Sequence, residues 1–465
     1  MTDRVMRRLG FGIRLPSRAP LQSEMDELPS RMLLAAEMTA APGHDQQSPW
    51  LDTTNALQAF GKFEQGRRAA RELIDEHRVA SGETLPLPEA LLEVGAPTTS
   101  GRDIHESQLD SRFSAALEAE VGVRERLVWF YSNHFSVSAA AGGYRILAPG
   151  LLEAEAVRPH VAGRFADMLL AVSMHWAMLR DLDGAFSVGP RSRFGVEHER
   201  GLNENWAREI LELHTLGVDG GYRQPDVVAL AKILTGWRFN WISNDEPGKF
   251  VFGMYRHELG PKTLLGKTYP DDGLEQGVAA LRDLARHPST ARHIATKLAR
   301  HFVADEPPER LVRELAAVFL ETDGDLAAVS QALIYSPEAQ EAPPTKLRLP
   351  QEFLVAMLRA TGVELEPRLI DQMCRVMGQP VWQPPGPDGF PDTVDYWLSP
   401  ESMKRRLDVA MAVAERVDPT LEPMDVLEVT IGDVATIDTR WAVSRAESRQ
   451  QAFSLLFMSP EFQWR

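Results

Sequence analysis

The 465-residue sequence predicts an all-α protein, a multi-helix, bundle-like body with one small β-hairpin or folded loop near residues 249–269. Two observations carry this prediction. Apolar residues recur at helical rather than alternating spacing in nearly every long segment, and proline and glycine fall where helices should start and stop.

From the N-terminus the periodicity predicts a helix over Leu21–Ala40, a polar loop to about Thr53 and a helix over Ala56–Ala80. Ser81–Gly101 holds three prolines and three glycines and reads as a loop. Leu109–Phe135 reads as helical with a break near Gly122. Helices follow at Leu152–Arg180, Asn203–Leu216, Pro225–Trp237, Leu274–His287, Thr290–Val303 and Glu309–Leu320. Lys249–Phe252 and Thr263–Tyr269 flank a turn-forming His257-Glu258-Leu259-Gly260-Pro261, the signature of a short hairpin. Pro350–Thr361 starts on proline and stops at Gly362. A proline-rich loop, Gln379–Pro391, precedes helices at Pro400–Arg416 and Arg440–Met458. The prolines at 337, 343 and 344 divide the chain into a main helical domain, 1–340, and a C-terminal helical part, 341–465, expected to pack on the first.

Composition excludes several functions. A net charge of -16 repels phosphate backbones and anionic membrane surfaces, so nucleic acid is not an expected partner. Apolar stretches such as Phe165–Met178 are interrupted, so no membrane span is expected. Cys374 is the single cysteine, and no intramolecular disulfide can form. The basic pair Arg7-Arg8 is followed by Arg14, Pro16 and Arg18 rather than an apolar run. No signal peptide is therefore read, and a cytoplasmic location is the default expectation.

The most informative segment is Asn203–Arg238, a helix, a glycine turn at Gly217 and a second, nearly all-apolar helix. Trp206, Ile210 and Leu213 share one face of the first helix. Glu204, Arg208 and Glu212 form one polar row; Asn205, Glu209 and Glu212 form another. Such rows are either a solvated ladder or, beside a buried helix, paired carboxylates suited to acid–base chemistry. In Arg124–Phe135 the pair Asn133-His134 puts a polar point on an aromatic helix. Glu209, Glu212, His134 and Arg208 are therefore the candidate catalytic residues, and Asn205, Asn133, His257 and Lys262 the candidate substrate-binding ones. The histidines at 134, 175, 214 and 257 match no compact zinc spacing, so no metal set is assigned. In Ser289–His301 the residues Arg292, His293, Lys297, Arg300 and His301 read as an outward positive face paired with acidic helices. Neither a phosphate loop nor a Gly-x-Ser-x-Gly elbow is present.

Five segments together resemble the bacterial family labelled domain of unknown function 1800. They are NENWAREILELHTLGV from Asn203, RHELGPKTLLG from Arg256, HPSTARHIATKLARHFV from His287, KLRLPQEFLVAMLRATG from Lys346 and QPVWQPPGPDGFP from Gln379. The resemblance implies a helical fold and a genetic neighbour, a sulfatase-like protein that is the expected companion. It implies no established catalytic residue or cofactor, and it implies export for many members. This sequence departs from the family pattern at Gly386, Pro387, Asp388 and Phe390 of the proline loop, and at His214, where relatives often carry an aromatic. The expected function is an enzyme with an acid–base or metal-assisted centre acting on a small or glycan-like substrate. The alternatives are a non-catalytic scaffold for the companion and, more remotely, a haem peroxidase-like protein, because Asn203-Glu204 and His214-Thr215-Leu216 loosely resemble the proximal segment of animal peroxidases at a different spacing.

Overall fold

The computed structural model describes residues 10–13, 48–243, 245–341 and 344–465. The helix expected at Leu21–Ala40 lies outside them. The protein is all-α: among the described residues 63% are helical and 4% are strand, with two small antiparallel two-stranded sheets. One apolar cluster runs from Phe11 through Trp129, Leu211 and Leu298 to Phe353 and Phe462, so helices before and after residue 341 contribute to the same core.

Five elements hold the candidate site. They are α1 (Gly101–Glu118), α2 (Val123–His134), a π-turn (Ile210–His214), α3 (Pro288–Phe302) and α4 (Pro350–Thr361). α1 starts on a capping box, in which Ser100 Oγ accepts from Asp103 N and the Asp103 carboxylate accepts from Ser100 N. Its C-terminal carbonyls are gathered by Arg359 of α4. That guanidinium donates to Ala116 O (3.0 Å), Leu117 O (3.2 Å), Ala119 O (2.5 Å), Glu120 O (2.9 Å) and Gly12 O (3.1 Å). The carbonyls from Ala116 to Glu120 are the acceptors a helix end leaves without intrahelical partners, and Gly12 O ties in the N-terminal segment. Arg359→Met is expected to cost about 2–3 kcal/mol by stranding buried carbonyls, read as a lowered urea midpoint at unchanged slope. A loss below about 0.5 kcal/mol, typical of a surface change, would show that the caps are dispensable.

The structure differs from the local reading in five places. A short helix, Leu87–Glu93, interrupts the expected loop at Ser81–Gly101. Leu152–Arg180 is not one helix. It passes through a π-turn at Glu153–Val157 and a 3-10 turn at Arg158–His160, where Pro159 supplies no backbone N–H, before resuming at Phe165–Met174 and Trp176–Asp181. The apolar helix ends at Ile233, because Gly236 turns the chain at φ +88° into strand β1 (Trp237–Phe239). β1 pairs with β2 (Phe250–Phe252), while β3 (Lys262–Leu264) pairs with β4 (Lys267–Tyr269), giving two ladders in place of one hairpin. Finally, Arg440–Met458 is two helices, Ile437–Ser444 and Arg449–Met458, the second capped by Ser448.

Among the described residues, no helix is long and apolar enough to cross a membrane.

Candidate functional site

The first informative helix leaves α geometry after Glu209 and closes as the π-turn Ile210–His214. Thr215 breaks it at φ −129°, ψ −92°, and its hydroxyl returns to Ile210 O at 2.6 Å. The turn ends with carbonyls that need donors, and two histidines from other helices supply them. His134 Nε2 of α2 donates to His214 O (3.2 Å), and His293 Nε2 of α3 donates to Leu213 O (3.1 Å). These contacts fix the tautomers: with Nε2 carrying the proton, each Nδ1 offers a lone pair. That of His134 accepts from Lys297 Nζ at 3.0 Å.

Burial and the neighbouring Lys297 ammonium keep this imidazole group uncharged. Desolvation, then Lys297, His214 and His293, hold His134 well below its ordinary pKa. The same causes push His214 down to about 3, and desolvation with Lys297 pushes His293 down to about 4. Lys297 falls to about 8 through desolvation, with Asp392 and Asp388 opposing the shift.

The proline loop closes over this group. Asn133 clamps it at both backbone polarities: Nδ2 donates to Phe390 O (3.0 Å), and Oδ1 accepts from Phe390 N (2.8 Å). Asp392 then receives His301 Nδ1 (2.6 Å) and Lys346 Nζ (3.2 Å), and Lys346 also donates to Asp392 O and Asp305 Oδ1. Below lies a buried charge cluster in which Glu352 of α4 meets Arg465 (3.0 Å), Arg126 (3.1 Å) and His301 (3.5 Å). A cavity of about 60 Å3 opens between these layers, walled by Ser132, Asn133, His301, Gln351, Trp382 and Asp392.

The eight candidate residues separate into four groups. Glu209 and Glu212 lie half-buried on the π-turn side, and Glu212 accepts from Tyr222 Oη at 3.2 Å. Glu209 makes no hydrogen bond or ion pair among the described residues. Desolvation, Glu212 and Asp388 raise its pKa against the opposing charge of Arg208. His134 and Asn133 belong to the neighbouring α2 end just described. Arg208 and Asn205 face outward: Arg208 bonds Gln224 (2.9 Å) and lies 3.5 Å from Glu204, whereas Asn205 N merely closes a local turn with Asn203 Oδ1. His257 and Lys262 form a separate buried pair, Nε2 to Nζ at 3.3 Å, with His257 Nδ1 on Thr235 O and Lys262 on Glu258 O.

Sequence reasoning missed Lys297. Ser289–His301 was expected to turn its whole basic set outward, yet Arg292 alone reaches an outer acid, Glu309, at 2.8 Å, while His301 is buried and His293 and Lys297 are half-buried. The signal was present. His293, Lys297 and His301 recur every four residues beside the apolar stripe Ile294, Leu298 and Phe302, so both rows face the core. Among the described residues, no group of three or more His, Cys, Asp or Glu side chains is arranged to hold a metal ion.

The fold and these motif contacts define a helical protein whose π-turn, α3 and proline loop meet at one polar centre. The chain belongs to the family described as Protein of unknown function (DUF1800), which matches residues 4–464. Neither a curated protein nor a solved structure matches it.

Proposed function

We propose that the protein is an enzyme whose acid–base centre lies where the π-turn meets the proline loop, acting on a small or glycan-like polar substrate. The observation that carries this reading is Glu209, a half-buried carboxyl with no partner among the described residues. Desolvation, Glu212 and Asp388 raise its pKa above the ordinary carboxylate range, against the opposing charge of Arg208. An unpartnered carboxyl of raised pKa is suited to give and take protons. Glu212 is held by Tyr222, and Asn133 fixes the proline loop beside the cavity described above. His134 serves as a positioning residue, because both its nitrogens are occupied.

The scaffold alternative, with the sulfatase-like companion as partner, is favoured by one observation: the Nε2–H groups of His134 and His293 are committed to capping carbonyls, a role that packing alone explains. The two readings separate by ligand response. A panel of monosaccharides, disaccharides and small carboxylates, scored by melting temperature, is expected to contain a stabilising class for the enzyme. Binding of the companion without any small-molecule response would favour the scaffold.

A further inference from the structure

Two lysines flank the proline loop, Lys346 buried and Lys297 half-buried, and they differ in how their ammonium groups are used. Lys346 is saturated with three acceptor atoms: Asp305 Oδ1 (2.6 Å), Asp392 O (2.7 Å) and Asp392 Oδ1 (3.2 Å). Lys297 makes one hydrogen bond among the described residues, to His134 Nδ1, and no carboxylate lies within ion-pair distance of it. An ammonium has three donors, so two positions on Nζ are left for something else. Lys297 is half-buried rather than sealed in the core. The tautomer of His134 is dictated by His214 O, which makes its Nδ1 an acceptor that holds the amine in one orientation whether Nζ is charged or neutral. His134 is too weakly basic to take the proton and neutralise the amine permanently.

We propose that Lys297 is a covalent site for a small carbonyl compound, an aldehyde or keto acid, which it captures as an imine. The inference deepens the acid–base reading above and rests on it: Lys297 is the amine, and Glu209, which like Lys297 feels the charge of Asp388, is the proton carrier. Nζ in its neutral form attacks the carbonyl carbon, the C–N bond forms, and the carbonyl oxygen leaves as water after taking two protons. One ammonium and one carbonyl thus give one protonated imine and one water, with nothing oxidised or reduced. The groups facing Nζ suit this step. His134 on α2 and His214 on the π-turn are uncharged, as is His293 on the same helix. Asp388 and Asp392 of the loop give the iminium a counter-charge, with Arg300 opposing. Desolvation brings Lys297 to about 8, so a useful fraction is nucleophilic near neutral pH.

The test uses the native full chain incubated with glyoxylate, pyruvate or glyceraldehyde and sodium cyanoborohydride, followed by peptide mass mapping. Lys404, exposed on its helix, serves as the internal control. At pH 7, Lys297 is expected to gain the reduced adduct at least ten times faster than Lys404, with half-maximal labelling near pH 8. Labelling no faster than Lys404 with all three carbonyls, or a pH midpoint above 10, would overturn the proposal. Glu209→Gln separates the two claims: slowed labelling of an intact Lys297 supports the pair as written. Unlabelled Lys297 in a protein whose small-molecule response still depends on Glu209 overturns the imine and leaves the acid–base centre standing.

Discussion

Glu352→Ala is expected to destabilise the protein by about 3–5 kcal/mol, the cost of breaking a buried ion cluster by removing one partner. Glu352 is buried and meets Arg126, Arg465 and His301, while its Oε2 also accepts from Leu349 N at the start of α4. Removing it leaves two buried guanidinium groups without their carboxylate, that of Arg126 stacked over the Phe302 ring. Glu352→Gln is expected to cost somewhat less, because it retains the shape and part of the hydrogen bonding. Desolvation raises the Glu352 pKa, but Arg126, Arg465 and His301 outweigh it and hold the group well below the carboxylate range. Asp392 is held low in the same way by His301 and Lys346. For such depressed carboxyls the stabilisation is fully present above the unfolded value, about 4, and is lost as pH falls toward the folded value. Wild-type stability should therefore drop steeply below pH 4, and Glu352→Ala should flatten that dependence. Urea titrations at pH 7 and pH 3.5 check both; a variant within about 0.5 kcal/mol of wild type at pH 7 would remove the cluster from the account.

Gly389→Ala is expected to cost about 2–4 kcal/mol, combining a left-handed backbone with overpacking. Gly389 has φ +86°, and an added Cβ would press on the Asn133 backbone oxygen and sit 2.7 Å from its Oδ1. The same substitution at Gly378 provides the control: φ is +87° and nothing lies within 4 Å of the added Cβ, so about 1–2 kcal/mol is expected there. The excess at Gly389 measures how tightly the proline loop sits on α2. Equal losses at the two glycines would mean that the Asn133 clamp has slack, and the loop would not then define the site.

Much of the fold was legible because helix periodicity and helix punctuation are local signals. Pro350 and Gly362 bracket α4 in the sequence, and Gly362 does take φ +68°. The errors fall where a tertiary partner decides the outcome. Trp237–Phe239 reads as a helix end until Phe250–Phe252 is seen to pair with it. The segment from Glu153 to Asp181 is broken by turns that helical spacing does not reveal. At the site, Glu209, Glu212, Asn133 and His134 were visible as polar points beside apolar faces. Lys297 was passed over because a basic row is ordinarily solvated, although its four-residue spacing with His293 and His301 beside an apolar stripe pointed inward. Asp388 and Asp392 sit in a loop with no periodicity, so nothing in the chain order signals that Asn133 and Lys346 fold them over the centre.

The central claim is that Glu209 is a working carboxyl rather than a structural one, and Glu209→Gln tests it most directly. A carboxyl whose folded pKa is raised loses native stability as pH rises above its unfolded value of about 4, so removing the charge relieves repulsion from Glu212 and Asp388. The measurement is the melting temperature of wild type and variant at pH 7, with and without the small polar or glycan ligands that stabilise the wild type. The expected result is an apo melting temperature equal to or slightly above wild type, a change of no more than about 1 °C downward, with the ligand shift abolished. A large fall in the apo melting temperature with the ligand shift intact, or a panel in which nothing stabilises the wild type, would contradict the acid–base reading and make Glu209 part of a scaffold.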